Sequence, residues 1–341
     1  MRARSRGAPA RDTIGAPLRA GRDAIRAPLR ASVLVAVLVA APVQAQDAAQ
    51  WLQRAANAAR TLDYVGTISN QHGSRIETSR LAHFNDSGVE YEKLSSLDGP
   101  AREVIRLNEQ VRCYYTDAKL VRVEPRALHN VFPSLLPQQM ATLTEHYTLR
   151  KAETARVAGL ETQAYVFEPK DTLRYGHKFW ADIGTGLLLK ARLINERGDP
   201  VEQFAFTDIQ IGGRLDRSNF KTVFPPAPAD WQVIETPGAD VLPQETGWVV
   251  KDLPAGFTKV VEGFRTLRGK PDKVAHLVFS DGLVAISVFI EPTPASPQPV
   301  GLSQQGGVNV YSRPLNEHLV TVLGEAPGST VRQIAYSVGP R

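Results

Sequence analysis

The chain has one cysteine and two methionines among 341 residues, and no apolar run long enough to cross a bilayer. A single thiol, Cys113, excludes an internal disulfide. It sits in Gln-Val-Arg-Cys-Tyr-Tyr, where strand alternation puts Val111, Cys113 and Tyr115 on one face, so a buried structural thiol is expected. The uncharged apolar run from Ala31 to Ala41 holds about 11 residues, well short of the roughly 20 a spanning helix needs. Catalytic signatures are missing as well. The seven histidines (His72, His83, His129, His146, His177, His276 and His318) are scattered, and none falls in an H-E-x-x-H spacing. There is no G-x-S-x-G elbow. Gly263 to Lys270 has one residue too many between its glycines for a phosphate loop, and Pro271 stands where Ser or Thr should hold the metal. No enzyme, cofactor or metal site is expected.

What is present begins with a leader. Residues 1–30 are rich in Arg, Ala and Pro, and the apolar run that follows ends at Pro42. Val43-Gln44-Ala45 then places small residues at the −3 and −1 positions of a cleavage site. A secretory signal peptide over residues 1–45, cut after Ala45, is the expected reading. The segment before the apolar run is longer than a usual n-region, and a start codon further downstream accounts for it equally well. No cysteine follows the cut, so a lipid anchor is not expected. The leader carries eight Arg and two Asp, so its removal takes the 40 basic and 35 acidic side chains to 32 and 33, a net charge of −1. The basic excess belongs to the leader, and nucleic-acid binding loses its compositional support.

The remaining ~296 residues suffice for two domains with real cores. Asp47 to Leu62 reads as an amphipathic helix capped by Asp47, with Trp51, Leu52, Ala55, Ala59 and Leu62 on one side. From Tyr64 to Glu124, short alternating runs are separated by turn residues at 71–74, 85–88 and 98–100, the pattern of an antiparallel meander. Leu128 to Leu143 is an apolar insertion broken into short helical pieces by Pro133 and Pro137. Strands resume at 147–151, 161–168, 178–182, 187–195 and 201–211. One helix and a long curved meander predict a single large sheet wrapped over helices, either closed or half open around a cavity. The proline-rich stretch from Phe224 to Asp230 reads as a stiff, extended linker. Beyond it, strands are expected at 248–251, 257–267, 307–313 and 318–324, with a hairpin at His276–Glu291 turning on Asp281-Gly282. A last helix is expected to be capped by Ser329 or Thr330, with Val331, Ile334, Ala335 and Val338 on one face. Residues 291–307, rich in Pro, Ser, Gln and Gly, read as a loop.

Two patterns suggest binding rather than catalysis. Tyr64, Ile68, Tyr91, Tyr115, Phe132, Leu135, Leu136, Met140, Phe179, Phe204 and Phe206 either fill an ordinary core or line an apolar pocket, with 132–143 as its lid or plug. Arg102, Arg106, Arg112, Lys119, Arg122 and Arg126 lie on neighbouring strands. They form either a solvated sheet face or a surface for an anionic ligand or acidic partner.

Several longer segments, in order, carry a family resemblance. In the first half these are Phe179-Trp-Ala-Asp-Ile-Gly-Thr-Gly-Leu-Leu-Leu-Lys190, Asn195-Glu-Arg-Gly198 and Val201-Glu-Gln-Phe-Ala-Phe-Thr-Asp-Ile209. In the second they are the His276–Glu291 hairpin, Tyr311-Ser-Arg-Pro314 and the run Leu319 to Ala335. Together they resemble the RseB/MucB family over nearly the whole exported chain. The resemblance implies an α+β, mainly antiparallel fold. It comprises a large unclosed β-barrel with covering helices, similar to the lipoprotein carriers LolA and LolB, and a smaller antiparallel-sheet domain with a terminal helix. The implied layout is residues 46–222 as the first domain, 223–245 as linker and 246–341 as the second domain. The implied function is that of a periplasmic negative regulator of an envelope-stress sigma factor. Such a protein binds the periplasmic domain of a membrane anti-sigma factor of the RseA/MucA kind and shields it from regulated proteolysis. It senses lipoprotein acyl chains or lipopolysaccharide through an apolar cavity. A homo-oligomer is compatible with it. The alternative is a lipoprotein or lipid carrier of the LolA type, which leaves the second domain without a role.

Overall fold

The computed structural model describes residues 41–108, 110–125, 132–136, 141–224, 231–235, 245–267, 273–293 and 298–341. Helix α1 (Ala41–Thr61) buries Leu52, Ala55, Ala56 and Ala59, which recur at three- and four-residue steps. The small alanines let the helix lie close against a sheet. Trp51 flanks them and stacks on Tyr165 with ring centroids 4.3 Å apart.

A first meander follows: β1 (Tyr64–His72), β2 (Arg75–Asp86), β3 (Val89–Ser96), β4 (Arg102–Leu107), β5 (Gln110–Tyr115) and β6 (Leu120–Pro125). After the short helix α2 (Ala141–His146) comes a second: β7 (Tyr147–Val157), β8 (Leu160–Pro169), β9 (Gly176–Asp182), β10 (Leu188–Ile194) and β11 (Pro200–Ile211). β11 pairs with β1 and joins the two meanders into one sheet. A further strand, β12 (Gln232–Glu235), adds parallel to β6. The sheet order is β12-β6-β5-β4-β3-β2-β1-β11-β10-β9-β8-β7, so its two edges, β12 and β7, do not meet and the barrel stays open.

Alternation gives this sheet two distinct faces. One cross-strand row runs Tyr64, His83, Glu92, Arg106, Val111 and Glu124 on the inner face. The adjacent row, Phe84, Tyr91 and Leu107, looks outward. Over β2 and β3 the outer face is covered by the chain that leaves β11. Phe220 lies against Phe84 and Tyr91, at 6.1 and 5.8 Å between centroids. Phe224 and Trp231 form a small separate cluster with Tyr114, Val121 and Val123.

The second sheet has the order β14-β15-β16-β19-β18-β17. Its strands are β14 (Thr258–Thr266), β15 (Lys273–Ser280), β16 (Ala285–Pro292), β17 (Gly301–Gln305), β18 (Val308–Leu315) and β19 (His318–Gly324), all antiparallel. Helix α3 (Gly328–Ser337) covers it, and Val331, Ile334 and Ala335 pack on Leu277, Val288, Val320 and Val322. A two-stranded ribbon pairs β13 (Trp248–Val250) with β20 (Val338–Pro340).

Several expectations are corrected. Helix α1 starts at Ala41, so Asp47 lies within it and does not cap it. Pro327, not Ser329 or Thr330, occupies the cap position of α3. The Thr330 hydroxyl instead donates to the Leu173 carbonyl at 2.9 Å, which draws it away from its own helix. β17 falls inside the stretch read as a loop, because Gly-Leu-Ser-Gln-Gln on an exposed edge strand carries no hydrophobic alternation. β12 falls inside the stretch read as linker. The prolines between Phe224 and Asp230, and half of residues 128–143, lie outside the described residues.

Candidate partner and ligand interface

The apolar residues expected to line a pocket fall into three places. Tyr64, Ile68, Phe132, Leu136, Phe179 and Phe206 join one buried cluster with Leu52, Ala55 and Ala59 of α1, and Leu135 and Phe204 pack at its margin. The Tyr64 hydroxyl donates to the Ala59 carbonyl at 3.1 Å, tying β1 to the helix. Phe132 lies face to face with Phe204 at 5.9 Å and tilted on Phe206 at 5.3 Å, so the insertion is packed into the concave face. Tyr91 is on the outer face, beneath Phe220. Tyr115 is on the inner face but away from the cluster, with the Arg102 guanidinium 5.5 Å from its ring. Met140 lies outside the described residues.

The basic residues are not gathered on one surface. Arg102, Arg106 and Arg122 share the inner face, whereas Arg112 points outward and reaches Gln110 at 3.1 Å. Arg106 is buried and donates through Nη1 to Glu92 at 3.2 Å, while its Nε and Nη2 find no partner among the described residues. Arg122 lies 3.9 Å from Glu124. Lys119 occupies an exposed turn, and Arg126 is outside the described residues. Cys113 is buried beside this group. Burial and the nearby Glu124 carboxylate push its thiol up to about 11.

The strongest electrostatic arrangement joins the two sheets and was not anticipated. Arg174, in the loop before β9, has a side chain with no exposure. Its Nη1 donates to Asp281 Oδ2 at 2.8 Å, its Nε to both oxygens of Asp171 at 3.1 Å, and its Nη2 to the Ala255 carbonyl. The rings of Tyr147 and Phe257 flank the guanidinium at 5.7 and 5.2 Å. The Tyr147 hydroxyl donates to the same Asp281 oxygen at 3.0 Å. The other oxygen, Oδ1, accepts the backbone N–H groups of Leu283 and Val284 at 3.0 and 2.9 Å. Asp281 therefore both shapes the hairpin turn, with Gly282 at φ +101°, and anchors the first domain. Asp281 and the apolar surroundings push the Tyr147 phenol well above its ordinary range, burial being the larger cause. His177 packs edge-on to Tyr147, and burial pushes its imidazole down to about 4.

Three further contacts cross the same junction. Asn309 donates to the Tyr175 hydroxyl and to the Ala326 carbonyl, both at 2.8 Å. Arg265 of β14 pairs with Glu124 of β6. Glu202 of β11, which meets His72 of β1 at 2.9 Å within the first sheet, reaches Glu325 of the second domain, and burial together with that carboxylate pushes its carboxyl up to about 9. Among the described residues no three His, Cys, Asp or Glu side chains gather as a metal site, and no helix is long and apolar enough to cross a membrane. The geometry is that of two domains held against each other by buried polar contacts, with an apolar face plugged by an insertion. It is suited to binding and to coupling between domains.

Known proteins resemble this chain in sequence and fold. The model of the MucB/RseB N-terminal domain matches residues 47–224, and that of the MucB/RseB C-terminal domain matches residues 243–339. The sigma factor AlgU regulatory protein MucB of Pseudomonas aeruginosa is 33% identical over 321 residues, which is 90% of this chain and 96% of that protein. The sigma-E factor regulatory protein RseB of Escherichia coli K12 is 22% identical over 292 residues, 84% of this chain and 89% of that one. Among solved structures, MucB in complex with MucA(peri) superposes with a TM-score of 0.68 at 30% identity, covering 86% of this chain and 99% of that chain. MucB without a named partner superposes at 0.64 and 28% identity, covering 87% and 98%. With both domain models matched in order and a 33% identical relative spanning nine-tenths of its length, the chain belongs to the MucB/RseB family, non-catalytic periplasmic regulators of sigma-E/AlgU-type stress sigma factors.

Proposed function

We propose that this chain, exported and cut after Ala45, binds the periplasmic domain of a membrane anti-sigma factor of the MucA/RseA kind and shields it from regulated proteolysis. The observation that carries this reading is the likeness, over both domains, to MucB in complex with MucA(peri). Residues 46–222 and 246–341 act as the two domains, with 223–245 between them. A lipid-bearing envelope molecule, by its acyl chains, enters the concave face of the first domain where Phe132, Leu135 and Leu136 now pack. Its effect on the partner follows from linkage: the lipid weakens partner binding only if it prefers a domain arrangement the partner does not. The contacts around Arg174 and Asp281 are the element such a ligand has to work against.

The test is capture of the cognate anti-sigma periplasmic segment by the mature chain, with and without a lipid competitor. Capture that the lipid reverses is expected. Transfer of lipoprotein between membranes with no capture of the segment identifies a carrier instead. Within the lipid reading, Leu136→Asp places a charge in a buried apolar cluster and should weaken binding of a fluorescent acyl probe. Unchanged probe binding by a folded variant removes this segment from the lipid site.

A further inference from the structure

On the outer face of the first sheet, opposite α1 and Phe132, three cations surround one tryptophan. Lys178 and Trp180 are two residues apart on β9, and Lys190 and Arg192 two apart on β10, in register as Lys190 opposite Trp180 and Arg192 opposite Lys178. The lysine ammonium groups lie 5.0 and 4.9 Å from the Trp180 ring centroid, and the Arg192 guanidinium 5.5 Å. Trp180 is only 4% exposed, so the cations form the surface and the ring forms their floor. Among the described residues only Lys178 is within ion-pairing distance of a carboxylate, Glu153 at 2.8 Å, whose charge also reaches Lys190. Arg192 spends Nε and Nη2 on the neutral Gln203 oxygen, at 3.1 and 2.6 Å. Lys190 has no ion pair among the described residues, and partial burial with its two cationic neighbours lowers its pKa. Three like charges held this close on a rigid sheet repel one another. A local surplus of about two positive charges, where residues 46–341 together carry a net charge of −1, calls for an anionic partner.

We infer that this face docks an extended acidic peptide segment of a partner protein, with carboxylates at alternate positions meeting Lys190 and Arg192 above Trp180. The spacing favours that chemistry. Side chains two apart on a strand recur at about 6.8 Å, so an extended segment with acidic residues at every second position matches Lys190 and Arg192 in step. Beside Lys190 in the register stands Ala205, which puts only a methyl group next to it. An anionic membrane fits less well. The same face carries Glu153, Glu168 and Asp208, each already paired with its own cation, and a broad negative plane would press on all of them. Trp180 is also too buried to insert among lipids. The inference is independent of the proposed function, because it concerns the opposite face of the sheet from the proposed lipid site and names no particular protein.

The test is fluorescence anisotropy of the mature chain with a labelled peptide alternating Asp and Thr. A peptide of the same composition with its Asp residues in one block, and phosphatidylglycerol vesicles, serve as the other arms. Binding of the alternating peptide is expected to exceed that of the block peptide, to fall as salt rises, and to weaken about tenfold in K190Q/R192Q at unchanged thermal midpoint. K190Q alone gives a smaller loss in the same direction. No peptide binding, equal affinity in the folded double variant, salt-insensitive binding, or a Lys190- and Arg192-dependent preference for vesicles each overturns the inference.

Discussion

At the scale of single residues, buried titratable groups set how stability responds to pH. Burial and the neighbouring Glu325 carboxylate push Glu202 up to about 9 in the folded chain, whereas an unfolded glutamate titrates near about 4.3. Its contribution is therefore complete below the unfolded value and is lost as pH rises toward about 9. His177 and His276 act with the opposite sign. Burial depresses them to about 4 and about 3, so their contribution is complete above the ordinary histidine value of about 6.5 and is lost as pH falls. Below about pH 6.5 two histidines outweigh one carboxyl, so stability should peak near neutrality. Denaturant midpoints across pH check this, and Glu202→Gln should flatten the fall above about pH 6.5 and steepen the rise below it. An alkaline limb unchanged in that variant refutes the assignment. Cys113 supplies a simpler check: with its thiol pushed up to about 11 and buried, it should resist a disulfide reagent until denaturant is added. Rapid labelling of the folded chain contradicts that placement.

Arg174 belongs to this scale too. Arg174→Ala strips the guanidinium from buried Asp281 and should cost about 3 kcal/mol, read from urea unfolding. A loss near zero means that the hydrogen bonds from Tyr147, Leu283 and Val284 suffice for that carboxylate.

Among the elements, the strand-and-turn pattern was legible where alternation met turn residues, as in β1 to β6 and in the hairpin closed at Gly282. Elements were missed where that signal fails. β12 pairs through backbone hydrogen bonds after a proline-rich stretch, and β17 is polar and exposed. The turn joining β7 and β8 places Ala158 and Gly159 both at positive φ, a conformation alanine does not advertise. The sequence also could not assign faces beyond a single strand. Tyr91 and Arg112 lie on opposite sides from the groups they were placed with, because register across six strands is set by turns and bulges. One element-level consequence is testable. Gly66 of β1 sits under the Phe206 ring, where an added Cβ would come within 2.8 Å of the ring and 2.5 Å of the Asp208 carbonyl. Gly66→Ala should therefore destabilise the fold by about 1–3 kcal/mol through overpacking. A neutral effect on the thermal midpoint means that β11 yields without loss.

Across the whole molecule, a long open sheet and a six-stranded sheet are joined by contacts drawn from sequence positions more than a hundred residues apart: Arg174 with Asp281, Tyr147 with Asp281, Arg265 with Glu124. No local pattern announces such pairs, which is why the junction escaped the sequence while both domains did not. Asp281-Gly282 reads as a turn, yet its carboxylate is the centre of the junction. The proposed regulation needs this junction, since a ligand in one domain alters a partner spanning both only by shifting their arrangement. The most direct measurement is calorimetric titration of the mature chain with the cognate anti-sigma periplasmic segment, beside the folded Arg174→Ala variant. Saturable binding by the intact chain, weakened in the variant, is the expected result; a folded intact chain that takes up no segment contradicts the proposal.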